Sequence, residues 1–180
     1  MAREKLFFTA DVHLGHKNII KHDNRPFSSV EEMDKTLIHN WNSVVGENDR
    51  IWCLGDLVFR SEAPFMYYLS RLNGHIHFIR GNHDDSDAWK NRNRFHFAAE
   101  AAYIKFYGQK MYLLHYPCRE WRGSHRGSWH IHGHCHGNLP PFGMSVDVGV
   151  TEWNYMPVEF EQIAEYMRYR KPTESHREDR

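Results

Sequence analysis

Short apolar runs bounded by polar or glycine-containing stretches recur along the chain. The first covers residues 6–9 and leads directly to Asp11. Runs of four to eight apolar or alternating residues between turn residues are typical of β-strands. Two of the runs flank Tyr107-Gly108-Gln109, which predicts a hairpin. Altogether the pattern predicts strands at 6–9, 50–54, 75–80, 103–106, 110–115, 128–132 and 145–148.

Apolar residues recur instead at helical spacing over residues 28–45, where Leu37 and Trp41 share one face. At the start of this segment, Ser29 and Glu32 have the spacing of a capping box, and so does the pair one residue earlier. The segment is therefore predicted to form a helix. Shorter helices are predicted at 63–72, with Pro64 in the first turn, at 84–93 and at 160–169.

The mixed order of strands and helices predicts an α/β or α+β layered fold. At 180 residues, the chain is long enough for one domain with a core of its own. We expect this single domain to cover residues 1–170. Residues 171–180 are mostly charged and include Pro172, so they are predicted to form a disordered tail.

Composition narrows the classes of function. Apolar residues make up 41% and charged residues 26% of the chain, which is ordinary for a soluble globular protein, and no apolar stretch approaches membrane-spanning length. The formal net charge of zero gives no overall field to attract nucleic acid or an anionic membrane. Fifteen histidines against three cysteines favour imidazole chemistry over a disulfide framework. Since no signal-like segment is evident, we expect a cytoplasmic protein.

Five polar clusters follow the predicted strands. They supply carboxylate, amide oxygen and imidazole groups, all of which bind divalent metal ions. Loops at strand ends are where a rigid scaffold presents reactive groups. The clusters offer about the number of donors that two neighbouring ions need, and such a pair of ions is a recurring device for attacking phosphate esters. In chain order the clusters are Asp11-Val12-His13, Gly55-Asp56, Gly81-Asn82-His83-Asp84, His115 and Gly133-His134-Cys135-His136.

Spacing within the clusters predicts how the ligands are presented. Asp11 and His13 are two residues apart, and such residues point the same way in extended backbone, so both could reach one ion. His134 and His136 repeat this spacing and could serve one ion or both. A tight turn at the glycine before Asp56 would project its carboxylate, whose two oxygens can bridge two cations. Each cluster alone is more often a turn, a cap or a strand-end histidine; the ordered combination favours a metal site.

The ordered clusters resemble the motifs of the calcineurin-like metallophosphoesterase superfamily, which run D-x-H, G-D, G-N-H-D/E, a lone H and G-H-x-H. All five are present in order between Asp11 and His136. Residues 11–27, which end in Arg25-Pro26-Phe27, are similar to a small, cap-less branch of phosphoesterases from bacteria and phages. The resemblance implies a four-layer α/β/β/α sandwich with metals at the carboxyl ends of the central strands.

The resemblance also implies a ligand set. One ion would be held by Asp11, His13 and His136, the other by Asn82, His115 and His134, and Asp56 would bridge them. A hydroxide shared by both ions would be the nucleophile. Members of the superfamily use manganese, iron, zinc or nickel, so we expect two divalent ions, with manganese favoured.

On the substrate side, the resemblance assigns His83 as the catalytic acid that protonates the leaving group. In protein phosphatases the G-D motif continues G-D-x-x-D-R, and its second Asp orients this histidine; here Phe59 takes that position. Orientation of His83 must therefore come from elsewhere, with Asp84 as one candidate, or be weaker. Arg60 keeps the family arginine position and is predicted to contact the substrate phosphate. Further substrate-side candidates are Arg25, Asn18 and His16.

These features predict a metal-dependent phosphoesterase that acts on diesters, monoesters or both, with nucleotides among the candidate substrates. Two alternatives stay open. One is a nucleic-acid-processing nuclease or phosphatase, which the zero net charge does not favour. The other is a non-catalytic, protein-binding scaffold, and such relatives usually lack ligands that are all present here. The expected partner is a small phosphate ester or nucleotide and not a membrane; the sequence leaves the oligomeric state open.

Overall fold

The computed structural model describes residues 5–59, 61, 63–84 and 88–174. The strands in these ranges are β1 (Leu6–Thr9), β2 (Arg50–Cys53), β3 (His75–Ile79), β4 (Phe97–Ala99), β5 (Ala101–Phe106), β6 (Gln109–Leu114), β7 (Trp129–His132), β8 (Ser145–Asp147) and β9 (Val158–Glu159). The α-helices are α1 (Ile19–His22), α2 (Val30–Val44), α3 (Phe65–Leu69) and α4 (Phe160–Met167). Short 3-10 helices cover Arg92–Arg94, Ser124–Arg126 and Val150–Trp153.

The strands form two mixed sheets. The first has the order β4-β3-β2-β1-β9, in which β1 to β4 are parallel and β9 is antiparallel to β1. The second has the order β5-β6-β7-β8, with an antiparallel β5–β6 hairpin and parallel pairs elsewhere. The sheets are joined just past β1, where the Ala10 N–H donates to the Val148 carbonyl at 3.0 Å and the Val150 N–H donates to the Ala10 carbonyl at 3.1 Å.

Two hydrophobic cores hold the layers together. One lies between the sheets and contains Phe8, Leu113 and, from α4, Ile163. The other lies between the first sheet and helices α1 to α3 and contains Phe7 and Met33. Because successive side chains of β1 enter opposite cores, its first three residues are all apolar. The mixed α/β sandwich predicted from the sequence is confirmed, with two sheets face to face and helices packed against them.

Helix α2 begins where its capping pattern predicts. Ser29 Oγ accepts a hydrogen bond from the Glu32 N–H at 3.2 Å, and the Glu32 carboxylate accepts one from the Ser28 N–H at 2.8 Å. The Ser29–Glu32 pairing is therefore the one used. Leu37 and Trp41 are buried, as the helical spacing predicts.

The shorter predicted helices agree less well. Helix α3 is only five residues long, and Pro64 is its N-cap rather than part of its first turn. Within 84–93, the described residues contain no α-helix, and a 3-10 turn begins at Arg92. Asp84 directs its carboxylate back to the N–H groups of Gly81 and Asp56. The loop therefore turns toward the preceding clusters instead of starting a helix.

The predicted strands agree with the structure to within two residues at each end, whereas β4 and β9 are unpredicted. Tyr107 and Gly108 both have positive φ, 43° and 86°, as a two-residue hairpin turn requires. No helix in the described ranges is long and apolar enough to cross a membrane. Residues 171–174 form neither helix nor strand, and 175–180 lie outside the described residues, so disorder of the tail stays a prediction.

Candidate metal centre

The five clusters meet at one place in the structure. The first three follow β1, β2 and β3 of the first sheet, and the other two follow β6 and β7 of the second. Hydrogen bonds tie the clusters together: the Asp11 N–H donates to the Gly55 carbonyl at 3.1 Å, and the His134 N–H donates to Asp11 Oδ2 at 2.8 Å. The site is therefore built where the carboxyl ends of strands from both sheets come together.

Asp11, His13 and His136 form a first group of donors. One ligand atom from each lies within 4.8 Å of the others, and His136 Nε2 is 3.6 Å from Asp11 Oδ1. Asp11 Oδ1 is buried and has no hydrogen-bond partner among the described residues. A buried carboxylate oxygen without a donor is costly. A cation at this point would satisfy it.

Asp56 lies between this group and a second group of donors, which consists of Asn82, His115 and His134. Its Oδ2 is 3.7 Å from His13 Nε2 and also 3.7 Å from His115 Nε2. Asp11, Asp56 and His115 again offer ligand atoms within 4.8 Å of one another. Oδ1 of Asp56 accepts a hydrogen bond from the His83 N–H at 2.9 Å. One oxygen of Asp56 is thus equally distant from one histidine of each group.

His115 shows why the second group fits a cation. Its Nδ1 lies 2.7 Å from the Leu54 carbonyl, and because a carbonyl only accepts, we assign the ring proton to Nδ1. Burial lowers the pKa of His115, so the ring is neutral near pH 7. Its Nε2 lone pair then faces Asn82 Oδ1 at 2.9 Å and the Asp56 carboxylate. Three acceptors converge here, and His134 Nδ1 is also 2.9 Å from Asn82 Oδ1.

Burial dominates the electrostatics of Asp11 and His13 in the first group. It raises the pKa of Asp11 well above the ordinary value, although the nearby His136 opposes this. It lowers the pKa of His13, and the charge of Arg25 adds to this effect. Without a cation burial therefore favours the neutral acid at Asp11 and the neutral imidazole at His13, and a divalent ion reverses that balance for a carboxylate. The donor set can hold metal ions.

Asp23, which no sequence motif indicates, contacts the candidate ligand His136 at the ring nitrogen that does not face Asp11. His136 Nδ1 donates to its carboxylate at 2.5 Å, and Arg25 donates to the same carboxylate at 3.2 Å. Burial acts to lower the pKa of His136, but the hydrogen bond to Asp23 and the charge of Asp11 outweigh it and raise that pKa. A proton on Nδ1 leaves Nε2 directed at Asp11. Such carboxylate–histidine pairs orient metal ligands.

The position of Arg25 corrects its predicted contact with substrate. Its side chain is 0% exposed. Nη1 donates to the Val12 carbonyl at 2.9 Å, and Nη2 donates to the Asp11 carbonyl at 2.8 Å. A guanidinium enclosed behind the ligand loop cannot reach a substrate. It fixes the backbone between Asp11 and His13 and balances the charge of Asp23.

Asp84 is also placed differently from the expectation that it orients His83. Its Oδ2 accepts hydrogen bonds from the Asp56 N–H at 2.8 Å and the Gly81 N–H at 2.7 Å. Burial, reinforced by the charge of Asp56, raises the pKa of Asp84 to about 7. Asp84 therefore joins the second cluster to the third and holds the backbone of Asp56 in place.

The backbone at the ligands is left-handed rather than extended. The expectation that strand-like alternation aims Asp11 and His13 at one ion is wrong in its geometry, although both residues reach the first group. Non-glycine residues in this region cost about 1–3 kcal/mol each and cluster at functional sites. The φ values are 55° at Asp11, 55° at His13, 55° at Asp56, 71° at His134 and 48° at His136.

Two glycines allow the loops to approach one another. Gly55 has a φ of +91°, and a Cβ built on it would lie 2.6 Å from Gly81 Cα and 2.6 Å from His115 Nδ1. A Cβ on Gly81 would collide with the Asp56 carboxylate. A side chain at either position would separate the clusters that carry the ligands.

The substrate-side candidates take different positions. His83 and His16 have ring centroids 5.7 Å and 5.5 Å from that of His13. His16 and Asn18 line a groove of about 1020 Å³ between the loop after β1 and helices α2 and α3. Arg60 lies outside the described residues, so its phosphate contact stays a prediction.

Comparison with known proteins identifies relatives over most of the chain. No protein-family model matches the sequence. The chain is 40% identical over 172 residues to the uncharacterized protein MJ1445 of Methanocaldococcus jannaschii, covering 91% of each. It is 31% identical over 183 residues to the gene 66 protein of Mycobacterium phage L5, covering 82% of this chain and 86% of the phage protein. Among solved structures, AQ665 from Aquifex aeolicus, a protein of unknown function, is similar with a TM-score of 0.72 and 21% identity over 91% of this chain and 100% of that one.

The chain belongs to the family of MJ1445 and the phage gene 66 protein. AQ665 shares its fold. The fold brings together the five motifs that resemble those of the calcineurin-like metallophosphoesterase superfamily.

Proposed function

We propose that this protein hydrolyses phosphate esters with the help of two divalent metal ions. The observation that carries the proposal is the position of Asp56, whose Oδ2 is 3.7 Å from a histidine of each donor group. Two ions held there would acidify a water molecule and neutralise the oxygens of the phosphoryl group. The proposed ligands are Asp11, His13 and His136 for one ion, Asn82, His115 and His134 for the other, and Asp56 for both.

His83 is the proposed catalytic acid. Its N–H donates to Asp56 Oδ1, which fixes the residue beside both donor groups. As the oxygen from water forms its bond to phosphorus, the bond from phosphorus to the leaving oxygen breaks, and His83 gives that oxygen a proton to release an alcohol. The neutral imidazole then regains a proton from solvent. A general acid of this kind contributes about 10²–10⁴-fold.

The groove beside His16 is the proposed site of the leaving alcohol. Three cationic side chains, two carboxylates and several serine and tyrosine hydroxyl groups line it; the charged residues are Lys17, Lys35, Arg71, Glu31 and Asp34. Such a surface suits an extended polar group that makes hydrogen bonds and meets both signs of charge. We therefore favour phosphodiesters and nucleotides over phosphoproteins, with His16 and Asn18 as substrate contacts.

Metal removal and replacement test the proposal. A chelator-stripped sample, with and without restored manganese, is assayed on 4-nitrophenyl and alkyl phosphodiesters, a monoester, a nucleotide panel and a single-stranded oligonucleotide. We expect turnover only with metal. Asp56→Asn should lower both metal content and turnover, whereas His83→Ala should keep the metal and lose turnover, most of all on alkyl esters. His125→Ala, at an exposed position, is the control.

Full activity in the stripped sample would contradict the proposed mechanism. Full metal loading with no turnover on any ester of the panel would favour a non-catalytic scaffold instead. Turnover confined to the oligonucleotide would make the protein a nuclease.

A further inference from the structure

The ring of Phe59 lies between two imidazoles at the metal centre. Its centroid is 4.1 Å from that of His83, at an interplanar angle of 45°, and 4.6 Å from that of His16, at 87°. The ring also meets His13 edge-on at 6.2 Å. Aromatic rings at such distances attract one another beyond the area that they bury. Phe59 therefore links the proposed acid, the groove and the first ligand group.

The backbone holds Phe59 firmly in this position. The Phe59 N–H donates to the Leu14 carbonyl at 3.1 Å, and the Leu14 N–H donates to the Leu57 carbonyl at 3.0 Å. These bonds form a short parallel bridge between the loops that follow β1 and β2. The same two loops carry His13 and Asp56. The ring of Phe59 is thus fixed to the elements that place the ligands.

The carboxylate nearest in sequence does not replace this contact. Asp84 is buried and uses its Oδ2 for the N–H groups of Asp56 and Gly81. The backbone of His83 is held by Asp56, but that bond leaves the side-chain torsions free. A ring packed at a tilt of 45° and a centroid distance of 4.1 Å restricts those torsions.

We infer that Phe59 is a positioning residue, which holds the imidazole of His83 by ring packing at the place where the protein-phosphatase motif has a carboxylate. The inference rests on the proposed function, because Phe59 acts through His83. A group held by packing needs no ion pair to keep its orientation. The ring of Phe59 also presents an apolar surface to the leaving alcohol between His83 and His16.

Two esters of the same phosphoryl group, one with a 4-nitrophenyl and one with an alkyl leaving group, separate this role from general damage. The 4-nitrophenolate departs without a proton, whereas the alkoxide needs one. Phe59→Ala should lower kcat on the alkyl ester by about tenfold or more and on the 4-nitrophenyl ester by less than about threefold, with metal content unchanged. Phe59→Tyr keeps the ring and should retain kcat on both.

Further variants distinguish the positioning role of Phe59 from a general loss of folded protein. Phe59→Leu keeps apolar bulk without a ring and should show the same selective loss. Phe106→Ala removes a half-buried ring that packs on Phe160, away from the site, and should change neither kcat. In a His83→Ala background, Phe59→Ala should have almost no further effect, because residues that act through one another are not additive.

A readout without metal or substrate comes from NMR of chelator-treated protein with ¹³C-labelled histidine. The His83 signal is assigned by its loss in His83→Ala. Phe59→Ala should shift this signal by removing the ring current, while the exposed His125 stays unchanged. An unshifted His83 signal would overturn the inference.

The kinetic outcomes separate the two claims. If His83→Ala loses alkyl-ester turnover and the Phe59 variants lose both esters equally or neither, the positioning role is wrong and the proposed function stands. If the wild-type protein hydrolyses no ester of the panel, the proposed function and this inference both fall.

Discussion

Asp23 is the residue whose role depends most on the fold. It lies 113 positions from His136 in sequence, yet it accepts a hydrogen bond from that ligand and pairs with the buried Arg25. In the sequence the only signal is that Asp23 and Arg25 both lie within residues 11–27, the segment similar to the phage-type branch. Sequence motifs indicate the side chains that could bind a metal ion. They do not indicate the residues that hydrogen-bond those side chains, because such contacts exist only after folding.

Asp23→Asn is therefore expected to weaken metal binding while leaving every ligand in place. An amide holds the Nδ1 proton of His136 less strongly than a carboxylate, and loss of such a partner typically lowers metal affinity by about 10–100-fold. Titration of stripped protein with manganese measures the change. Glu47→Gln, which alters an exposed carboxylate, is the control; equal affinities in both variants would contradict the prediction.

His130 is predicted to make stability depend on pH. Burial, with the charge of His132 adding to it, lowers the pKa of His130 to about 4, and its Nε2 accepts a hydrogen bond from the Cys118 N–H at 3.0 Å. Between about pH 6.5 and 4 the unfolded chain therefore binds a proton that the folded chain excludes. The free energy of unfolding falls as pH drops through this window, by up to about 3 kcal/mol from this group.

Urea titrations of metal-free protein at several pH values measure this slope. His130→Gln should flatten it between pH 6.5 and 4, whatever its effect on stability at pH 7. His125→Gln, which changes an exposed histidine, should leave the slope as it is. Equal slopes for wild type and His130→Gln would show that His130 is not a source of the pH dependence.

At the scale of elements, strands with a strong local signal were predictable and those defined by their partners were not. β1 and β2 are largely apolar runs followed by a polar cluster, so the sequence predicts the bounds of both strands to within one residue. β9 has two residues and β4 has three, and they exist because an edge of the first sheet is available to them. Left-handed turns at Asp11 and His13 were missed for a related reason: non-glycine residues adopt them only under tertiary constraint.

The packing of the turns against one another predicts the effect of a single methyl group. Gly81→Ala should displace the Asp56 carboxylate, which lies where the added Cβ would go. Metal content after loading and desalting, measured by mass spectrometry, should fall well below that of wild type. Gly46→Ala is the matched control, because its Cβ would meet only the flexible side chain of Asp49. Full metal content in Gly81→Ala would contradict this account of the turn.

Across the whole molecule, the candidate metal centre joins the two sheets. The first sheet contributes Asp11, Asp56 and Asn82, and the second contributes His115 and the loop after β7. A bound ion would therefore cross-link the carboxyl ends of both sheets. The sequence implied the sandwich and the juxtaposition of Asp11 with His136 only through its resemblance, because residues more than 100 positions apart meet only in the folded chain.

Metal is consequently expected to raise global stability. A ligand that binds only the folded state stabilises it by about 2.7 kcal/mol when present at 100 times its dissociation constant. Thermal unfolding should show a higher Tm with manganese than with chelator. Asp56→Asn should lose most of this shift, whereas Lys105→Gln, at an exposed position on β5, should keep it. A Tm that does not respond to metal in the wild-type protein would contradict the cross-link.

The left-handed conformation of the candidate ligands sets metal binding against the stability of the metal-free protein. His134 is exposed and has a φ of 71°, a backbone conformation that glycine adopts at a lower energy. Its conformation costs about 1–3 kcal/mol, a sizeable part of the 5–15 kcal/mol by which a typical domain is stable. A laboratory selection for heat resistance in the presence of chelator should therefore enrich glycine at position 134 before it changes either core. The same selection in the presence of manganese should retain the histidine, because the bound ion would then offset the strain.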